Sequence, residues 1–309
     1  MSCEAAYVTL LTKTSYLPGV LVLDHCLRSV GSQYPLVVMT TPTMPKSAKT
    51  TLQRRGISVR EVGWLHPRRG GQCVDVRFEE TWTKLRVFEL EEYKRVVLLD
   101  SDMIILKNMD DLMNIDLLPD HIAAAHVCCC NPRGYAHYPA DWIPPHCAYT
   151  AVANPTSPPP ASTKNSPRPY FQLNSGTVVL NPSLTLAREI VEFLKTSPRI
   201  SEWRFPDQDL LSDFFKGRWK PLPWYYNALR SLPIVHPNLW STRQIRCLHY
   251  IYSDKPWQSR ETPPGSEKEF EAFNKWWWER FDDVMDFMGE MDPEGRGMVL
   301  AVVGTGSEF

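Results

Sequence analysis

An α/β fold with a mainly parallel sheet is predicted by three observations. Short apolar runs of strand length alternate with longer amphipathic runs over the first hundred residues, the signature of β-α-β units. The run Arg95 to Leu99 (RVVLL) passes directly into Asp100-Ser101-Asp102, placing charge at the edge of a buried strand. The chain has 309 residues, 43% of them hydrophobic, enough for one large α/β domain or two smaller ones and too apolar for dominant disorder.

Taken in order, Ala5 to Leu11 reads as a buried strand, and a helix from about Tyr16 to Val30 follows, with Pro18 tolerated in its first turn. Leu36 to Thr40 is a second strand, Ser47 to Arg55 a helix stopped by Gly56, and Ile57 to Val62 a third strand. Glu79 to Leu90 reads as a helix leading to the strand at Arg95 to Leu99. Periodicity then fails between Asn131 and Pro169, which holds ten of the 27 prolines, so this stretch is predicted to be a long loop inserted into an otherwise compact chain. Thr177 to Leu180 is a strand, Leu184 to Lys195 and Gln208 to Phe215 are helices, and Glu267 to Met288 is a strongly amphipathic helix followed by a tail from Gly295. Three consecutive tryptophans, Trp276 to Trp278, cannot share one helical face, so one of them is expected to cover a neighbouring loop.

A formal net charge of -1 excludes a general polyanion binder, so no nucleic-acid partner is expected. Eight cysteines show no CxxC pair and hence neither a zinc spacing nor a disulfide framework; reduced thiols are expected. The N-terminus lacks a basic segment and no stretch reaches the roughly 18 apolar residues of a membrane span, so a soluble cytoplasmic protein without a membrane partner is expected.

Two carboxylates one residue apart at the end of a buried strand point into the crevice where open α/β sheets bind ligands. Such oxygen donors suit Mn2+, with Mg2+ as the other choice, because both keep positions open for substrate phosphates. Phosphatases of the haloacid dehalogenase type share the Asp-x-Asp ending, but they carry Thr or Val where this chain has Ile104. Further along, Leu248 to Trp257 offers His249 and Lys255, an imidazole for a metal and an ammonium for a diphosphate.

Together these segments resemble glycosyltransferase family eight, the group that includes glycogenin and galactinol synthase. The resemblance runs through AYVTLLTKTSYLPGVLVL, TKLRVFEL, RVVLLDSDMIIL, FQLNSGTVVLNPS, PDQDLLSDFF and HYIYSDKPW, with the Pro-rich stretch as an insertion. It implies the GT-A nucleotide-sugar-binding (Rossmann-like) fold with a mixed sheet over residues 1–260, and a C-terminal helical extension and tail over 261–309. It further implies Mn2+ held by Asp100, Asp102 and His249, and a UDP-sugar, UDP-glucose or UDP-galactose, as donor. Thr9, Leu10, Thr12 and Tyr16 match the positions that hold uracil and ribose, and Lys84 and Ser101 match contacts on the sugar and ribose side. Asn174, Ser175 and Gly176 match a loop beside the donor sugar. Asp207 and Gln208 match the Asp-Gln pair near the anomeric carbon, and Lys255 the diphosphate clamp. The implied reaction is retaining hexosyl transfer to a hydroxyl-bearing acceptor.

Two departures bear on function. Tyr252 stands where relatives usually carry a small residue, often Gly, so its ring must turn outward or shift the loop. Counting from Tyr226-Asn227, the tyrosine that glycogenin glucosylates on itself falls at Ile234, which favours a small-molecule acceptor over self-glucosylation. A protein or polysaccharide initiator acting in trans remains the second reading; a silent UDP-sugar binder and an Asp-x-Asp phosphatase are the readings outside transferases, and a homodimer stays open. Trp142, Trp224, Trp240 and Trp257 are candidates for stacking on a sugar ring, and His137, Asp141 and His146 for contact with the acceptor.

Overall fold

A computed structural model of the chain describes residues 4–67, 80–261 and 267–304. Its centre is a seven-stranded sheet of β1 (Ala5–Leu11), β2 (Leu36–Thr40), β3 (Ser58–Glu61), β4 (Arg95–Leu99), β6 (Ile122–His126), β7 (Leu173–Leu180) and β8 (Trp219–Leu222), in the order β3-β2-β1-β4-β7-β6-β8. Strands β3, β2, β1 and β4 run parallel, β7 runs antiparallel to both of its neighbours, and β8 is again parallel to β6. The sheet is therefore mixed and mainly parallel. Alternate residues feed two cores: Tyr7, Leu11, Val38, Val97 and Leu99 face one layer, whereas Ala6, Val8, Val37, Val96 and Leu98 face the other. This is the period-two pattern of a sheet buried on both sides.

Helices α1 (Leu17–Ser29), α2 (Lys46–Arg54) and α6 (Lys268–Met291) contribute to the first layer, and α3 (Leu184–Thr196) and α4 (Pro206–Phe214) to the second. Chain order reverses between β1, whose partner β2 lies on one side, and β4 on the other, so the carboxyl ends of β1 and β4 open a crevice. A second sheet, β5 (Met103–Ile105), β10 (Cys247–His249) and β9 (Ala228–Leu229), lies just past that edge. Its register pairs His249 with Met103, which fixes the imidazole beside the acidic turn that precedes β5.

Most predicted elements form within a residue or two of their expected bounds, and Gly56, at φ +77°, stops α2. The segment after the third strand differs. Glu79 lies outside the described residues, and Thr81–Glu89 forms a 3-10 helix in place of an α-helix. Trp82, Leu85 and Phe88, spaced by three, are buried along it, which suits three residues per turn. Strand β7 begins at Leu173, earlier than predicted, because its polar start at Asn174 and Ser175 faces the site. The described start of the predicted tail is helical: α7 (Pro293–Val302) is capped by the Asp292 carboxylate, which accepts from the Gly295 amide at 3.2 Å. Residues 131–169 contain three short 3-10 helices and no strand, as expected of the insertion. Among the described residues no helix is long and apolar enough to cross a membrane.

Candidate active site

Strand β4 delivers Asp100 and Asp102 to the crevice, and backbone pairing holds them there. The Asp100 amide donates to the Gly176 carbonyl at 2.9 Å, and the Tyr250 amide donates to the Asp102 carbonyl at 2.9 Å. Nε2 of His249 lies 3.6 Å from Asp100 Oδ2 and 3.3 Å from Asp102 Oδ1, and one ligating atom from each of the three falls within 4.8 Å of the others. The other ring nitrogen, Nδ1, bonds Asn227 Oδ1 at 2.9 Å. In that contact Nδ1 donates to the amide oxygen, which turns Nε2 toward the carboxylates. Asn227, just before β9, in turn donates to Asn174 Oδ1 of β7 at 2.7 Å, and Asn174 donates to Gln208 Oε1 of α4 at 3.1 Å, so one chain of amides runs around the imidazole.

Two lysines balance the acids. Lys84 Nζ sits 2.6 Å from Asp100 Oδ1 and 3.1 Å from Asp207 Oδ2, and Lys255 Nζ pairs with Asp102 Oδ2 while donating to the Tyr250 carbonyl at 2.8 Å. Burial works against the charge on Lys84, but the carboxylates of Asp100 and Asp207 raise its affinity for the proton. Burial, with the nearby Asp102 and Asp207 carboxylates, pushes Asp100 above the usual carboxylate range; Asp102 overcomes the same burial through Lys255 and His249 and is held far below it. Asp100 and Asp207 thus gather around Lys84, and Asp102 around Lys255. An imidazole nitrogen and two carboxylates converging on one point fit a hard divalent cation.

The surrounding cavity has a volume of about 490 Å³. Thr9, Leu10, Thr12, Tyr16, Lys84, Asp100, Ser101, Asp102, Asn174, Ser175, Asp207, Gln208, His249 and Lys255 all line it. Gly176 lies one layer behind: a Cβ there would meet His249 Cε1 at 2.5 Å, so the close approach of β7 to the imidazole requires glycine. Gly19 does the same for the acidic turn, since its Cβ would meet the Ser101 carbonyl at 2.4 Å.

Of the aromatic candidates, Trp142, Trp257 and His137 line the cavity, whereas Trp224 and Trp240 pack on each other with ring centroids 5.6 Å apart outside it. Asp141 pairs with Arg168, and His146 Nδ1 bonds the Asp141 carbonyl at 2.9 Å; neither reaches the cavity wall. The sequence reading missed Tyr135, Tyr138 and Phe205, which with Trp142 form one aromatic wall; Trp142 stacks on Phe205 at 5.0 Å. It also missed Asn227, whose only signal is its place beside Tyr226 in the family resemblance. Tyr252 lines the cavity, with its ring 4.3 Å from the Arg133 guanidinium and 5.4 Å from that of Arg230.

An open mixed sheet with an Asp-x-Asp turn, a histidine and two lysines gathered at its switch point defines a glycosyltransferase of the GT-A fold. The galactosyltransferase LgtC, solved in complex with donor and acceptor sugar analogues, superposes with a TM-score of 0.60 at 13% identity, covering 90% of this chain and 95% of that one. The glycosyltransferase GlyE of Streptococcus pneumoniae gives a TM-score of 0.58 at 16% identity, over 93% of this chain and 65% of its own. The family model for glycosyl transferase family 8 matches residues 7–261, and the chain belongs to that family. Among its relatives are galactinol synthase 1 of Arabidopsis thaliana, 30% identical over 91% of this chain and 79% of that protein, and galactinol synthase 1 of Solanum lycopersicum, 30% identical over 91% and 83%.

Proposed function

We propose that this glycosyltransferase moves a hexose, galactose or glucose, from a UDP-sugar to a hydroxyl of a small acceptor, with retention at the anomeric carbon and with Mn2+ at Asp100, Asp102 and His249. The observation that carries the reading is the junction of that triad with Lys255 and Lys84 in one cavity beside the ends of β1 and β4. When bound, the divalent cation supplies the positive charge that a departing diphosphate needs. Lys255, released from Asp102, provides a second positive charge to the same leaving group. Lys84 orients Asp207 through its 3.1 Å contact, and Gln208 is fixed by Asn174, so this pair stands ready on the side of the donor sugar. Thr9 supports the nucleoside end: its hydroxyl is buried in the cavity wall without a hydrogen-bond partner among the described residues.

The small-molecule acceptor draws on two facts. The relatives named above are galactinol synthases, and Tyr135, Tyr138 and Trp142 of the insertion close one side of the cavity with aromatic faces suited to a sugar or polyol ring. The test is a panel of UDP-hexoses with Mn2+ and an extract-derived acceptor mixture, read by mass spectrometry. One UDP-hexose is expected to yield UDP and an acceptor heavier by one hexosyl unit, and Asp102→Ala to lose at least about 100-fold in UDP release. Full turnover by Asp102→Ala, or transfer to protein tyrosine alone, defeats the proposal.

A further inference from the structure

A second group of ligating side chains converges outside the acidic triad. Cys128 and Cys130 follow β6, Cys147 lies between two short 3-10 helices of the insertion, and His236 closes helix α5 (Leu232–Val235). One atom from each, three Sγ and a ring nitrogen, all fall within 4.8 Å of one another. His236 Nε2 is 3.2 Å from Cys130 Sγ and 3.3 Å from Cys147 Sγ, and all four residues are buried.

We propose that Cys128, Cys130, Cys147 and His236 form a structural zinc site. Four protein ligands leave no open coordination position, which separates a structural site from a catalytic one. Three thiolates and an imidazole are soft donors that select zinc over the hard cation fitted to the oxygen-rich triad. Zn–S of about 2.3 Å and Zn–N of about 2.0 Å at tetrahedral angles put sulfur and nitrogen roughly 3.6 Å apart. The observed separations need to open by only a few tenths of an ångström. Cysteine packed simply as a small apolar residue has no reason to gather three sulfurs from two stretches of chain around one imidazole, two of them within 3.3 Å of its nitrogen.

Cysteine binds a metal as the thiolate, and the cation offsets the charge that forms. On binding, three Zn–S bonds form as the thiol protons pass to solvent, and His236 binds neutral through Nε2. The insertion gains most from such a cross-link. It has no strand of its own, and Cys147 would be tied to the end of β6 and to α5, fixing the segment that presents Tyr135, Tyr138 and Trp142 to the cavity.

The test is the metal content of the full chain, purified without a metal-chelate column, by plasma mass spectrometry. About one zinc per chain is expected, retained in Asp102→Asn, lost in Cys130→Ser and Cys147→Ser, and kept in His236→Cys, which restores a fourth ligand. Stripped protein reloaded with Co2+ is expected to show a thiolate-to-cobalt charge-transfer band that is absent from Cys147→Ser. The wild-type zinc content and cobalt spectrum decide the matter even if a serine variant fails to fold. Wild-type protein without zinc, whether its cluster thiols are free or joined as a disulfide, overturns the proposal. So does zinc that departs with Asp102→Asn and stays with Cys147→Ser.

Discussion

Tyr252 has φ +80°, a backbone region that costs a bulky residue on the order of 1 kcal/mol or more. The ring recovers part of that through the Arg133 guanidinium at 4.3 Å and the Arg230 guanidinium at 5.4 Å. Tyr252→Gly is therefore expected to relieve strain and lose cation–π contact in similar measure. Its UDP release should stay within about threefold of wild type, about 0.7 kcal/mol in the barrier; collapse of activity in a folded variant would mean that the ring itself holds the donor. Asp209 makes a different prediction. Burial raises its carboxyl to about 6 against an ordinary 3.8, even though the Phe205 and Arg204 amides favour the ionised form. A raised acid binds more protons folded than unfolded, so this group's contribution falls as pH rises from about 4 to about 6, by about 3 kcal/mol, and stays low above that. Asp209→Asn should flatten this part of the melting-temperature profile, and an unchanged difference between pH 5 and pH 8 would refute the assignment. At this scale the site was legible where one residue type at one spacing carries the chemistry, as in Asp100-Ser101-Asp102. It was illegible where a residue acts through another: Asn227 and Gln172, which accepts from the Trp142 indole at 2.9 Å, gain their roles only from folding.

Within elements, two glycines show packing overriding propensity. In an α-helix, Gly→Ala ordinarily stabilises by roughly 0.5–1 kcal/mol. At Gly19 in α1 the added Cβ would sit 2.4 Å from the Ser101 carbonyl, a backbone atom that cannot swing away, so Gly19→Ala is expected to lower the melting temperature. A rise in melting temperature would mean that the acidic turn does not rest on this helix. Gly176→Ala in β7 would press on the His249 ring at 2.5 Å, and is expected to raise the metal concentration needed for half-maximal activity at least about tenfold, about 1.4 kcal/mol. Strands β1, β2 and β4 were legible because both faces are buried and the apolar runs are uninterrupted. The 3-10 helix at Thr81–Glu89 was not, because a three-residue spacing of Trp82, Leu85 and Phe88 also fits an α-helix. Helix α7 was hidden by Gly295 and Gly297, poor helix formers that a cap at Asp292 and burial of Val299 and Val302 outweigh. The cysteine and histidine cluster escaped for a third reason, since Cys147 and His236 are 89 residues apart and no short spacing announces them.

At the scale of the whole molecule, the family match stops at residue 261, but the apolar core does not. One buried cluster joins Leu17, Leu21 and Trp257 to Phe270, Phe273, Trp277 and Phe281 of α6. Trp277 is fully buried, stacked on Phe281 at 5.0 Å and 5.6 Å from Trp257, while Trp278 donates to the Ser259 carbonyl at 3.3 Å and so covers the neighbouring loop. The Tyr250 hydroxyl also donates to the Phe273 carbonyl, and Arg133 of the insertion reaches both Asp254 at 2.7 Å and Glu267 at 3.1 Å. The loop carrying Lys255 is thus held from behind by a helix that the sequence reading set apart as an extension. We propose that α6 folds as part of the catalytic unit. Trp277→Ala should cost about 3–5 kcal/mol, a large share of a typical domain's 5–15 kcal/mol. The full chain should unfold in a single denaturant transition by tryptophan fluorescence, and a chain cut after Glu261 should show neither that transition nor UDP release. If the shortened chain kept both, α6 would be an independent appendage, and the position of Lys255 would have to be set by the sheet alone.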